Sequence, residues 1–122
     1  MKQLHSALLV IAATMLLASC HDAPHVTAAI DRPLVERDVT TVEKNSRGNV
    51  LIPAAARVNL AGTPGVFILQ NNQARFRMIK TGKQQGTRIE VSSGLVGNER
   101  IIMGPYDDIY DGSPVRPANQ SR

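Results

Sequence analysis

The sequence is poor in most of what marks a catalyst or a nucleic-acid reader. It has one cysteine, no tryptophan, two phenylalanines and two tyrosines. A single cysteine cannot close an internal disulfide. So few aromatic rings offer no platform for stacking bases, and a formal net charge of +4 is a mild excess, not a nucleic-acid signature. The three histidines, His5, His21 and His25, all lie in the first 25 residues. Everything after them therefore lacks the commonest general base, and no paired nucleophile and base is found. The chain is read as non-catalytic and calls for no cofactor. No apolar run approaches the ~20 residues that cross a bilayer as a helix.

The longest apolar run, Ala7–Ala18, instead fits the core of a signal peptide, with Lys2 in a short polar region before it. It ends in Leu17-Ala18-Ser19-Cys20, which resembles a bacterial lipobox. Small residues admit a peptidase, and the thiol is the group that takes the lipid (diacylglycerol, with palmitate). Residues 1–19 are thus expected to be removed and Cys20 to be the lipid attachment site; an ordinary secretory signal with a chance cysteine is the alternative. The mature chain has the length of one domain, about 100 residues. Residues 20–25 read as an unstructured tether. His21, Asp22 and His25 lack the preorganised third and fourth ligands of a metal site, so no metal is expected.

From residue 26 the pattern becomes that of short strands. Val26, Ala28 and Ile30 alternate with more polar neighbours, and after Pro33 so do Val35, Arg37 and Val39 against Leu34, Glu36 and Asp38. Glu43–Asn49 reads as a polar turn with Gly48 in it. The core is placed at residues 50–117. Its strands are expected at Val50–Pro53, Gly65–Leu69, Ala74–Lys80, Thr87–Ser92, Arg100–Met103 and Pro114–Arg116. One helical turn is expected at Ala54–Arg57, and turns at Gly62–Gly65, Asn71-Asn72, Gly82–Gly86, Gly94–Asn98 and Asp111–Pro114. Ile79 breaks the alternation of Ala74–Lys80, which predicts a bulge or twist there. Residues 118–122 read as a disordered tail. The fold class is therefore all-β: a small β-barrel or β-roll spanning residues 26–117, because closure removes open strand edges. A two-layer sandwich is the second choice.

Charge is uneven along the core. Arg75, Arg77, Lys80, Lys83 and Arg88 follow one another without an acid, whereas Glu99, Asp107, Asp108 and Asp111 are met by one base, Arg100. The basic five are the candidate partner-binding residues, facing lipid headgroups or a protein; a solvated surface that averages out in the fold is the plain alternative. The three core aspartates lack the spacing and terminal glutamate of a calcium loop.

Taken in order, Val50–Ala56, Gly65–Leu69, Arg77–Gly82, Gly94-Leu95, Arg100–Ile102 and Asp111–Val115 resemble the C-terminal part of periplasmic adaptor subunits (membrane fusion proteins) of resistance–nodulation–division efflux pumps. The resemblance implies a membrane-proximal, permuted SH3-like barrel that contacts a transporter of the inner membrane. One turn departs from the family pattern: Asn98 stands where glycine is common, and asparagine is expected to take the left-handed geometry instead. The family's lipoyl domain, barrel domain and long helical hairpin have no counterpart here. Residues 26–39 resemble the N-terminal segment that completes the membrane-proximal domain, so this domain is expected to close on itself.

Three functional readings follow from the resemblance. The first is an adaptor-like efflux subunit, lipid-anchored through Cys20 on the periplasmic side of the envelope, more in keeping with the inner than the outer membrane. The second is a stand-alone envelope interaction module, and the third a truncated remnant. No nucleic-acid partner is expected. Self-association, or assembly with full-length adaptors, stays open.

Overall fold

The computed structural model describes residues 31–120; Cys20, the tether and Val26–Ile30 lie outside them. Two-residue turns set the frame. Asn71 and Asn72 adopt φ of 51° and 58°, joining strands β6 (Thr63–Gln70) and β7 (Gln73–Met78) with Gln70 opposite Gln73. Asparagine tolerates this left-handed geometry, and the resulting turn matches the twist of its strands. A second tight turn, Ala61-Gly62, joins β5 (Val58–Leu60) to β6. A third, Gly86-Thr87, joins β8 (Lys80–Gln85) to β9 (Arg88–Ser93).

The remaining strands are β1 (Val35–Arg37), β2 (Val39–Thr41), β3 (Glu43–Lys44), β4 (Val50–Pro53), β10 (Arg100–Ile102) and β11 (Val115–Pro117). They form three ladders. One runs β2-β10-β6-β5, with β7 on the other side of β6; a second runs β3-β4-β9-β8; the third is the parallel pair β1-β11. The described residues are almost all strand and turn, an all-β fold as expected from the strand pattern. Val35–Thr41 is paired at both strands: Val35 opposite Val115, Val39 opposite Ile102.

The continuous apolar runs of β6 and β10 are explained by a wall with a core on both sides. In β6, Val66 and Ile68 point into one cluster, Phe67 and Leu69 into another. In β10, Ile101 and Ile102 divide the same way, and both are fully buried. The first cluster lies between the two larger sheets and holds Ile52, Ile89 and Val91 from β4 and β9, with Ile79 from the β7–β8 junction. The second lies on the other face of β6 and β10. It is covered by Val35 of β1, Val115 of β11 and Ile109 of the loop between β10 and β11.

Several expectations need correction. Gly62–Gly65 is not a single turn: only Ala61-Gly62 turns, and Thr63, Pro64 and Gly65 begin β6. Pro64 sits near the start of the strand, where its missing N–H costs little. Glu43-Lys44, expected in a polar turn, forms β3 against β4, and strands β5 and β8 have no counterpart among the expected strands. Gly82 lies inside β8, which shows register shifts against β9 between Lys80 and Gln84. The bend expected at Ile79 is present: β7 ends at Met78, and Ile79 turns inward between the two hairpins. The helical turn expected after Pro53 is a 3₁₀ turn at Ala54–Ala56. The continuous apolar run Val50–Ile52 has one covered face: Val50 and Ile52 are buried and Leu51 is half-exposed. Asn98 does not take a left-handed φ; Gly94 (106°) and Gly97 (112°) carry that requirement. Ala118–Gln120, expected in a disordered tail, forms a 3₁₀ turn, and Asn119 Nδ2 donates to the Val39 carbonyl at 2.9 Å.

Candidate interaction surface

The five candidate basic residues are distributed over two sheets. Arg75 and Arg77 alternate along β7 with Phe76 and Met78, so both project from one face of that strand. Arg75 donates to Gln73 Oε1 at 2.9 Å and lies 3.8 Å from Asp111 Oδ2. Arg77 reaches the Gly94 carbonyl at 3.4 Å. Lys80 and Lys83 are exposed on β8, and among the described residues neither has an ion pair. Arg88 of β9 grips both oxygens of Glu43 of β3, at 2.5 and 3.2 Å.

The acidic run does not form an opposing face either. Asp111 meets Arg75, Asp108 pairs with Arg37 of β1, and Glu99 turns into its own loop. Folding thus brings parts of the two runs together. Such exposed pairs contribute only ~0–1 kcal/mol each. Among the described residues, no group of three or more His, Cys, Asp or Glu is placed to hold a metal ion.

The Glu99 loop is a compact device. Its Oε1 accepts the Val96 N–H at 2.6 Å; its Oε2 accepts those of Gly97 at 2.8 Å and Asn98 at 3.1 Å. Burial alone would raise the Glu99 pKa, but these backbone donors outweigh it and hold the carboxyl below 4.5. The loop carries Val96 at its tip, 71% exposed. Between the loop and β6–β7 lies a depression of about 380 Å³, whose lining includes Ile68, Leu69, Gln70, Arg77, Val96 and Arg100.

On the opposite face of β7, the second cluster has an open side. Phe67 is packed edge-on by Phe76 at 5.6 Å and stacked by Tyr106 at 6.1 Å. Tyr106 donates its hydroxyl to the Ile102 carbonyl at 3.1 Å, and burial pushes its phenol above 10.0. Val58, Phe76 and Tyr106 are only half-buried. Across the β5-β6-β7 ladder, Val58, Gly65 and Met78 stand in one row, with Leu60 two residues beyond Val58. A Cβ on Gly65 would collide with the Phe76 ring, so glycine lets that ring lie across β6. Met78 is 66% exposed and Leu60 44%.

The apolar margin of the second cluster was not anticipated. Its one sequence signal is weak: Phe76 and Met78 share a parity that places both beyond the end of the buried row. The backbone cage around Glu99 had a clearer signal, an acid directly after Gly97-Asn98. Cys20, the expected lipid site, lies outside the described residues.

The family model described as YknX, C-terminal permuted SH3-like domain, matches residues 49–117, which run from just before β4 to the end of β11. No curated protein matches the chain.

Proposed function

Because the chain belongs to the YknX C-terminal permuted SH3-like domain family, a domain of membrane fusion (efflux adaptor) proteins, we propose that it works as a non-catalytic adaptor-like subunit. In this reading Cys20 carries the lipid anchor, the β module stands on the periplasmic side of the inner membrane, and it associates with a resistance–nodulation–division transporter in export. Among the described residues no helix is long and apolar enough to cross a membrane, in keeping with attachment through lipid. Fold alone does not assign a partner. The observation that carries the reading is the closure of the matched segment by β1 and β2: the strands before residue 49 pair with β11 and β10.

The test is membrane crosslinking of the tagged protein in its native host, followed by identification of what co-purifies. An inner-membrane transporter should be recovered, and the recovery should disappear with Cys20→Ala. A folded, membrane-anchored chain that brings down no transporter would sink the adaptor reading.

A further inference from the structure

The outer edge of β7 repeats one arrangement twice, once with a carboxylate in place and once without, although the Met78 carbonyl itself lies against Gly94. Main-chain groups along an antiparallel strand alternate between the partner and the far side. On β7 the far side receives Ala74, whose N–H donates to Ser113 at 2.8 Å, and Phe76, whose N–H donates to Asp111 Oδ1 at 2.9 Å. Ile79 N–H donates to Pro64 on β6 at 3.1 Å. With Met78 opposite Gly65, the alternation turns Met78 N–H to the far edge, where no described residue accepts it.

The donors of Phe76 and Met78 each follow an arginine. At Phe76 the Asp111 carboxylate takes the N–H with one oxygen and faces Arg75 with the other. At Met78 the arginine is Arg77, and among the described residues it meets no carboxylate. Arg32 adds a third guanidinium beside this edge, donating to the Asp111 carbonyl at 2.6 Å. Three guanidiniums against one carboxylate leave the edge positive. The apolar side is equally unfilled, with Met78 exposed beyond Phe76 on the same face of β7.

We propose that this open position docks an extended acidic segment of a partner protein. One Asp or Glu carboxylate takes Met78 N–H and Arg77, repeating what Asp111 does at Phe76. Neighbouring apolar side chains of the segment cover Met78 and the Phe76 ring. The mode is capture of a side-chain carboxylate at one free position of a sheet edge, with charge for affinity and the flanking apolar side chains for selectivity. The edge of β8 is unsuited to the same use, because Lys80, Lys83 and its register shifts guard it. The chemistry of the site is independent of the adaptor reading; that its owner is a transporter rests on it.

A fluorescent peptide alternating valine with glutamate, titrated into the full-length protein and read by anisotropy, tests the site. Binding should saturate. Arg77→Gln should weaken it about tenfold, the equivalent of one charge-assisted hydrogen bond, and Lys83→Gln should leave it unchanged. The Met78 amide should shift in ¹⁵N spectra as the peptide is added. Equal weakening by both substitutions, no saturable binding, or a Met78 amide already protected from exchange in the free protein would each overturn the site. A photoreactive side chain at position 78 in the native host separates the two ideas. If a transporter co-purifies but the probe at 78 marks nothing, the docking site is overturned and the adaptor reading stands. If the peptide binds and no transporter co-purifies, the adaptor reading fails and the site stands.

Discussion

The two apolar clusters share the walls β6 and β10 but are closed by different means. The first is aliphatic throughout and lies between two sheets, in which hairpins such as β8-β9 are joined by longer-range pairs such as β4-β9. The second gathers both phenylalanines and Tyr106, and its cover comes from strands near both ends of the described segment plus the loop holding Ile109. Asn119 reaches Val39 across 80 residues to fasten that cover. Closing contacts this far apart costs more chain entropy than closing a hairpin. The first cluster is covered by a sheet on each side. The second depends on distant parts of the chain and stays open along Val58 and Phe76, which is where a partner can reach it.

The largest effect should come from the ring at the centre of the second cluster. Phe67 is 1% exposed and touches both other aromatics. Phe67→Ala should cost about 3–5 kcal/mol, a large part of the ~5–15 kcal/mol that holds a domain together. Urea unfolding followed by circular dichroism would measure it. A loss near 1 kcal/mol would mean that the aromatic trio fills space without organising the cluster.

A sharper comparison uses neighbours of one type. Ile101 and Ile102 are adjacent, fully buried and on opposite faces of β10. Each change to alanine should cost about 2–5 kcal/mol, but the two should loosen different regions. Ile102→Ala should speed amide exchange first at Val35 and Val115, whose N–H groups bond Pro114 and Asn72. Ile101→Ala should do so first in β4 and β9. Hydrogen exchange read residue by residue resolves such sub-global opening. Identical patterns would mean that both clusters open as one unit.

The same contrast explains what the sequence makes legible. Alternation in Arg88–Val91 and Val35–Val39 reports one buried face directly, and both segments are strands with the expected side inward. The turn at Asn71-Asn72 announces itself through residues that accept φ > 0. Val66–Leu69 announces burial but not that its two faces serve separate cores, since an unbroken apolar run carries no parity. Strand β8 is exposed along nearly its whole length and has no apolar residue to report it. Its pairing with β9 is a property of the backbone. The candidate basic run shows the limit most plainly: five residues adjacent in sequence part in space because Arg75 and Arg88 find acids from distant segments. The open edge beside Arg77 depends on which main-chain donors Asp111 happens to reach, and no local pattern encodes that.

The smallest effect concerns the Glu99 loop, which feeds β10 and so serves both clusters alike. Its carboxyl is held below 4.5 by backbone donors in spite of burial. A folded-state pKa depressed below the unfolded one stabilises the fold above the unfolded value, and that contribution fades as pH falls through the folded value. Protonation takes the charge from an oxygen that accepts two or three N–H groups, so the loop should loosen in acid while the rest of the barrel holds. The amides of Val96 and Gly97 should then lose protection with a midpoint below 4.5, and Glu99→Gln should abolish the transition because its amide does not titrate. The exposed tip at Val96 should follow the same curve, and with it the shape of the depression that Arg77 and Arg100 flank. A midpoint at or above 4.5 would show that burial outweighs the backbone cage, leaving the loop held by Gly94 and Gly97 geometry alone.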